Sequence, residues 1–329
     1  MVWSKIMEFF KTDKTYNFMG KRLPFLALSL ILFLASIGIL FTKGLNFGID
    51  FAGGTLVQIK YDKTAPIDDI RNILKQKPQF ANASITEFGS AQEIVIRITT
   101  SSASVATDIG DEIHQLLDST GNFEIRRVDM VGPKVGNELR EKGIMALGLS
   151  LVMILIYVSY RFEYRFAVAS IFALVHDITI ALGAIALFEV EVNLDILAAL
   201  LTLLGYSLND TIIVFDRIRE GVQTSKESLL ENIVNESVSK TLSRTTLTSL
   251  TTFFVVVTLF VFGSEIIHGF AFTLLVGIIV GTYSSIFIAS TFLVQLKFSI
   301  ENFRAKEAEK LKRQKEKERI RAMYEQGTV

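Results

Sequence analysis

Six long apolar runs constrain the fold more than any other feature of this 329-residue chain. Each run is about 18 residues or longer, which is roughly the length that an α-helix needs to cross a bilayer. Half of all residues are hydrophobic, a fraction too high for an ordinary soluble domain. The runs predict six membrane-spanning helices, at Leu23–Thr42, Gly143–Tyr160, Phe166–Phe188, Leu194–Phe215, Thr245–Phe262 and Phe270–Leu296.

The charges between the runs predict the orientation. Lysine and arginine occur in four segments that an even number of crossings brings to one side: the arm 1–22, the turn 161–165, the connector 216–243 and the tail 297–329. The loops 189–193 and 263–269 contain neither residue. Positively charged loops stay on the cytoplasmic side, so both termini are predicted to be cytoplasmic. Helical spacing of apolar residues in the connector predicts a helix lying along the membrane surface, and the tail is predicted to be an exposed helix or disordered.

Between the first span (23–42) and the remaining five (143–296), residues 43–142 have the mixed composition of a soluble domain, predicted to be extracytoplasmic. Its hydrophobic patterns predict elements in the order β-α-β-β-α-β. The predicted elements are Phe51–Tyr61, Pro66–Gln76, Ile85–Phe88, Glu93–Thr99, Ala103–Leu117 and Phe123–Val131. The predicted fold class is therefore an α+β integral membrane protein, with a ferredoxin-like domain between the first and second membrane helices.

The segment Gly205–Glu220 (GYSLNDTIIVFDRIRE) places Asn209 and Asp210 inside the fourth apolar run. A carboxylate at that depth costs roughly 2.5–3.5 kcal/mol, so such residues usually face a protein interior or a wet cavity and are functional. Asp210, with Asn209 beside it, is therefore a candidate proton-pathway residue. The alternative is a buried carboxylate that only holds helices in register.

Arg244 lies at the edge of the fifth run, in SRTTLTSLTT, at a depth comparable with that of Asp210. On a helix Arg244, Thr248 and Thr251 or Thr252 share one face, so a polar stripe is predicted to enter the membrane. We expect Arg244 to pair with Asp210, although a terminal arginine can instead extend toward lipid headgroups.

His176 and Asp177 form a second candidate polar centre in the middle of the third run. An interhelical hydrogen bond with only a structural role is the alternative there. Two intramembrane aspartates also raise the hypothesis of an intramembrane aspartyl protease, whose paired carboxylates would share a proton. The residues before Asp210 are Tyr-Ser-Leu-Asn rather than Gly-x-Gly, which makes proteolysis the remote alternative to proton-coupled transport.

Composition argues against several other classes of protein. The chain has no cysteine, and its three histidines have no metal-ligand spacing, so no metal site is expected. The 34 basic and 34 acidic residues cancel, which gives no indication of a nucleic-acid partner.

A glycine motif, Leu45–Thr55 (LNFGIDFAGGT), follows the first run directly. No helix N-terminus is predicted after Gly53 and Gly54, so a close backbone approach is favoured over phosphate binding. The motif residues singled out as structural are Gly48, Asp50, Phe51, Gly53 and Gly54.

These segments together resemble the SecD/SecF family of the bacterial Sec protein-export machinery, within the resistance–nodulation–division superfamily. The resemblance rests on the glycine motif, on Val131-Gly-Pro133, on His176-Asp177, on GYSLNDTIIVFDRIRE and on SRTTLTSLTT, in that order along residues 1–300. The short domain between the first two spans resembles SecF more than SecD, whose corresponding domain is much larger.

The resemblance implies a non-enzymatic membrane subunit without a cofactor, located in the bacterial inner membrane. Its implied partners are SecD, the Sec protein-conducting channel, the translocating preprotein and membrane lipid. The complex would use the proton-motive force to assist late stages of translocation, with Asp210 and Arg244 at the family's proton-pathway positions. The rival function is a proton-coupled small-molecule exporter of the same superfamily, although such pumps have about twelve spans and two large outer domains.

Overall fold

The structure, a computed structural model, describes residues 14–98 and 109–325. Most of the predicted N-terminal arm and the first part of the predicted helix Ala103–Leu117 lie outside these residues. So do Thr99, at the end of a predicted strand, and the last four residues of the tail.

Six helical segments in the described residues are long and apolar enough to cross a membrane, as predicted. The first five are single helices and the sixth is interrupted by a π-helical turn. Their bounds are α1 Arg22–Thr42, α5 Pro133–Arg161, α6 Tyr164–Leu187, α7 Leu194–Thr224 and α8 Leu230–Phe262, then α9 Glu265–Ser284, the π-helical turn Ser285–Ala289 and α10 Ser290–Gln295.

The three most buried helices form the centre of the bundle. In α6, α7 and the α9 segment, 56%, 50% and 61% of the most apolar stretch is buried, against 11–17% in α1, α5 and α8. One hydrophobic cluster joins Phe166 of α6 to Phe215 of α7, both with no exposed surface. The outer helices therefore leave much apolar surface uncovered by this chain.

The prediction of a surface helix in the connector 216–243 is wrong. Helix α7 continues to Thr224, a loop of five residues follows, and α8 starts at Leu230, so the two spans extend beyond the apolar runs as a helical hairpin. The apolar spacing is real, but it serves this hairpin, in which Ile218 packs with Ile233 and Val234 in one buried cluster. Tertiary packing extends both helices into polar sequence.

The last predicted loop is also too long. Residues 263–269 were expected to separate the fifth and sixth spans, whereas α9 begins at Glu265. Glu265 lies in the first turn of α9, where a carboxylate is favoured by the helix dipole.

The domain between α1 and α5, called here the sheet domain (residues 54–131), has the predicted element order. Its elements are β1 Gly54–Tyr61, α3 Ile67–Lys75, β2 Ser84–Phe88, β3 Ser90–Ile98, α4 Ile109–Leu117 and β4 Phe123–Val131. The strands form one antiparallel sheet in the order β2-β3-β1-β4. Relationship to the ferredoxin-like fold stays a prediction. Ile59, Ile96, Ile70 and Ile113 form a core between this sheet and its two helices.

Two boundaries of the sheet domain differ from the prediction. Residues Ile49–Ala52 form one helical turn, α2, instead of the start of β1, because Gly53 turns the chain with a φ of 75°. Helix α5 begins at Pro133, whose fixed φ suits the first helical turn, rather than at Gly143. Residues 133–142 therefore belong to the second membrane helix rather than to the domain 43–142.

The tail is helical where it is described. Helix α11, Ile300–Glu325, follows the first of the two predicted alternatives. Its start is anchored to the hairpin, because Arg304 Nε donates to the carbonyl oxygen of Val222 (2.7 Å). The end of the N-terminal arm also packs there, where the Met19 backbone N–H donates to Asn235 Oδ1 (2.8 Å).

Candidate functional site

Asp210 lies in the interior of the bundle, where α7, α8 and α9 meet. Its side chain is buried, and Oδ2 accepts a hydrogen bond from Ser249 Oγ on α8 (3.1 Å). Thr282 Oγ1 on α9 lies 2.9 Å from the same Ser249 oxygen and can donate to it. The hydroxyl groups of Ser249 and Thr282 therefore connect this carboxylate to α8 and to α9. Helix spacing in the sequence predicted neither contact.

The predicted pair between Asp210 and Arg244 is absent. Within the described part of the chain, no ion pair or hydrogen bond joins the two side chains, and Arg244 is exposed. Arg244 shares an outward face with Thr248 and Thr251, as its spacing predicts, but the buried face of α8 carries Ser249 instead. Five residues turn a helix by about 140°, so Arg244 and Ser249 cannot face the same neighbour.

The side chains of Asn209 and Asp210 face different directions. Consecutive helical residues differ by about 100° in direction, and Asn209 is exposed whereas Asp210 is buried. The structure therefore brings Asp210 together with Ser249 and leaves Asn209 on the outer surface of this chain.

Asp177 forms the second polar centre and is fully buried. Its Oδ2 accepts from Ser207 Oγ of α7 (2.5 Å) and from Ser284 Oγ of α9 (2.8 Å), while Oδ1 is hydrogen-bonded to His176 Nδ1 (2.9 Å). Three side chains on three helices thus surround this carboxylate, and both of its oxygens have partners.

His176 extends the second centre toward α1. Its Nε2 lies 3.2 Å from the Tyr283 hydroxyl, which in turn lies 3.2 Å from Ser29 Oγ on α1. A continuous polar chain therefore runs from α7 through α6 and α9 to α1. It is the kind of buried network that fixes helix positions when every member has a partner.

The two centres meet on three consecutive residues of α9. Thr282 reaches the Asp210 centre, Tyr283 reaches His176, and Ser284 reaches Asp177. The π-helical turn Ser285–Ala289 starts directly afterwards, and such turns are frequent at functional sites. The sequence carried a signal for this segment, because Thr-Tyr-Ser-Ser is an unusually polar group within the sixth apolar run.

The number of hydrogen-bond donors distinguishes the two aspartates. Asp177 accepts from three side chains, so removing its carboxylate strands several buried donors at once. Among the described residues, Asp210 has a single side-chain partner. Fewer side-chain contacts therefore hold the carboxylate of Asp210 than hold that of Asp177.

We expect Asp177→Ala to lower the free energy of unfolding by about 3 kcal/mol, because it breaks a fully connected buried network. The measurement is thermal unfolding in detergent. The control is Asp195→Ala, which removes an exposed carboxylate from the first turn of α7 and should change stability little. Equal stability of the two variants would contradict a structural role for Asp177.

The glycine motif packs against the start of α5. A Cβ on Gly53 would lie 2.7 Å from Pro133 Cα, and the φ of Gly53 is +75°. Gly54 also has a positive φ, of 132°. Phe51 is buried beside these glycines in a cluster with Ile196 and Leu200 of α7. The motif thus makes the close backbone approach predicted for it.

A cleft of about 940 Å³ lies between the sheet and the ends of the membrane helices that are nearest to it. Apolar side chains line both walls, among them Leu56 and Met130 on the sheet and Phe272 on α9. Arg97, at its edge, pairs with Glu191 of the α6–α7 loop, and burial lowers the pKa of Arg97 from its usual value. In the described residues, no group of three His, Asp or Glu side chains is arranged to hold a metal.

A bundle of six membrane-length helices with buried aspartates, carrying one small sheet domain after its first helix, defines a multi-pass membrane protein. The family model of SecD/SecF export membrane proteins, C-terminal part, matches residues 112–299, and the SecD/SecF GG motif matches residues 38–65. The chain belongs to the SecD/SecF family, and its role is in Sec-associated protein export.

Two curated relatives, both SecF subunits, show the likeness over nearly the whole chain. It is 46% identical to protein translocase subunit SecF of Helicobacter pylori strain 26695 over 98% of this chain and all of that protein. It is 38% identical to the SecF of Escherichia coli O157:H7 over 90% of this chain and 93% of that one.

Solved structures agree with this family. The crystal structure of SecDF, a translocon-associated membrane protein from Thermus thermophilus, is 36% identical, with a TM-score of 0.79 over 87% of this chain. A SecDF structure in the super-membrane-facing form gives a TM-score of 0.65 at 36% identity. This chain matches 39–40% of the length of those two SecDF chains.

Proposed function

We propose that this chain is the SecF-type subunit of a complex that, together with SecD, uses the proton-motive force to assist late stages of preprotein translocation. The observation that carries the proposal is Asp210, a buried carboxylate with one hydroxyl partner in the middle of a helix bundle. The chain works as a non-enzymatic subunit without a cofactor, in the bacterial inner membrane with both termini in the cytoplasm. Its further partners are the Sec channel, the preprotein and membrane lipid, and no nucleic acid.

The surface of α8 supports a partner within the membrane. Arg244, Thr248 and Thr251 form an exposed polar line on a helix that this chain covers poorly. Polar and charged side chains are costly against lipid tails and usually face protein. A second six-helix bundle, from SecD, would cover this line and supply the counter-charge for Arg244.

In the proposed cycle, Asp210 exchanges its proton with one side of the membrane at a time. Loss of the proton leaves a buried charge, which favours a movement of α7 that brings Asp210 into contact with water. One proton crossing about 180 mV supplies roughly 4 kcal/mol, enough to shift a two-state element strongly.

The intramembrane protease is disfavoured by the geometry of the two aspartates. Proteolytic carboxylates must share a proton, yet Asp177 and Asp210 belong to separate hydrogen-bond groups that contact different residues of α9. A proton-coupled exporter remains the rival, and no observation in this chain favours it.

Reconstitution of export vesicles tests the proposed function. We expect this chain to copurify with a six-span SecD and the Sec channel, and gradient-stimulated export to need both SecD and this chain. Vesicles with only one of the two are the controls. Full stimulation by this chain without SecD would overturn the proposed function.

A further inference from the structure

The loop between α6 and α7 is joined to the glycine motif by backbone hydrogen bonds. The Gly48 N–H donates to the Val192 carbonyl oxygen (2.9 Å), and the Val192 N–H donates to that of Asn46 (2.7 Å). Phe47 and Val192 are thereby paired as an isolated parallel β-bridge. Two acidic residues of this loop also form ion pairs across the contact: Glu189 pairs with Lys43, and Glu191 pairs with Arg97 of β3.

Asp50 extends this contact to the N-terminus of α7. Its Oδ2 accepts a hydrogen bond from the Leu194 backbone N–H (3.0 Å), beside the cap in which Asn193 Oδ1 accepts from the Ile196 N–H (3.0 Å). The first backbone donors of a helix lack partners within the helix, so a carboxylate there fixes its end. The helix that carries Asp210 is therefore capped by a residue from the segment that leads into the sheet domain.

The space around this contact is tight. A Cβ on Gly48 would lie 2.5 Å from Glu191 Oε1, and one on Gly53 would meet Pro133. The segment from Asn46 to Gly53 is thus held on one side by the α6–α7 loop and on the other by α5. Such a contact transmits displacement rather than absorbing it, because packed interiors compress little.

We infer that Asp50 is a positioning residue that makes α7 and the sheet domain move as one body. Its hydrogen bond to Leu194 and the Phe47–Val192 bridge together form the connection, called here the joint. Asp210 lies about 24 Å further along the same continuous helix, at 1.5 Å per residue. A shift of α7 at Asp210 therefore displaces the sheet domain directly. This inference rests on the proposed function, since it concerns how proton exchange at Asp210 reaches the exported chain.

The absence of native cysteine makes the joint testable by a disulfide. Paired strands lie about 4.8 Å apart, within the roughly 4.4–6.8 Å that disulfides need between Cα atoms, so Phe47→Cys with Val192→Cys should cross-link under copper–phenanthroline. If the joint stays closed during the cycle, the oxidised double variant exports at the rate of the same variant after reduction. The two single-cysteine variants control for the loss of each side chain.

Asp50 is tested in the same export vesicles. Asp50→Ala should lower gradient-stimulated export about fivefold or more while SecD copurification is unchanged, because the Leu194 N–H at the start of α7 loses its acceptor on the glycine motif, although the Asn193 cap remains. Asp50→Asn keeps an acceptor oxygen and should retain most export, and the disulfide should restore export to Asp50→Ala. Asp195→Ala is the control: it removes a nearby exposed carboxylate that takes no part in the joint, and export should be normal.

Two results would overturn the inference. One is export abolished by the disulfide and recovered on reduction, which would mean that the joint must open. The other is normal export by Asp50→Ala. Asp210→Asn in the same vesicles separates this inference from the proposed function, because normal export by that variant counts against proton use at Asp210 and leaves the disulfide result to decide on the joint.

Discussion

Asp210→Asn is expected to abolish gradient-dependent export while the complex with SecD still assembles. Asparagine has nearly the same shape and its carbonyl oxygen still accepts from Ser249, so packing between α7 and α8 should persist. It cannot take up or release a proton, so the roughly 4 kcal/mol available from one proton crossing about 180 mV is lost. The measurement is export into vesicles with and without a proton gradient, alongside the amount of complex recovered.

Asp216→Asn is the matched control on the same helix. Asp216 is partly exposed and pairs with Arg161 at 3.2 Å, and such surface pairs contribute about 0–1 kcal/mol. Its loss should leave gradient-stimulated export near normal.

Arg244→Lys should impair export, since lysine keeps the charge but loses the planar set of donors that a carboxylate in SecD would bind. If assembled Asp210→Asn exports normally in response to the gradient, this carboxylate is not the proton carrier.

Gly53→Val should cause the second large loss, with export reduced at least tenfold and stability lowered by roughly 3 kcal/mol or more. A β-branched residue is strained at a φ of +75°, and its Cβ would lie 2.7 Å from the backbone of Pro133. The sheet domain and the start of α5 would have to separate. Gly54→Val, at a φ of 132°, should act in the same direction.

Gly89→Val separates backbone strain from close packing. Gly89 has a similar φ of +69°, but the atom nearest to a Cβ added there would be Glu265 Cβ, 3.9 Å away. This control should lose only the strain component, about 1–2 kcal/mol, and should keep export. Limited proteolysis of the sheet domain and thermal unfolding in detergent give the comparison. Equal behaviour of the Gly53 and Gly89 variants would mean that the approach to Pro133 is unimportant.

The sequence determined the number of membrane-length helices and the element order of the sheet domain. A span needs an apolar stretch of fixed length, and strands and helices differ in hydrophobic period, so both can be recognised locally. The placement of Asp210 and of Asp177 within membrane-length helices follows from the same patterns. The family was also recognisable, because its motifs occur in order along the chain.

Only the tertiary structure decided where helices end in polar sequence and which way their side chains point. Helix α8 begins fourteen residues before Arg244 because Ile233 and Val234 pack on α7, a contact that no local pattern specifies. Arg244 and Ser249 are close in the sequence, yet the rotation of α8 against α7 puts Ser249 beside Asp210 and Arg244 outside. That rotation is fixed by how all the helix surfaces fit together, and a single helix does not contain this information.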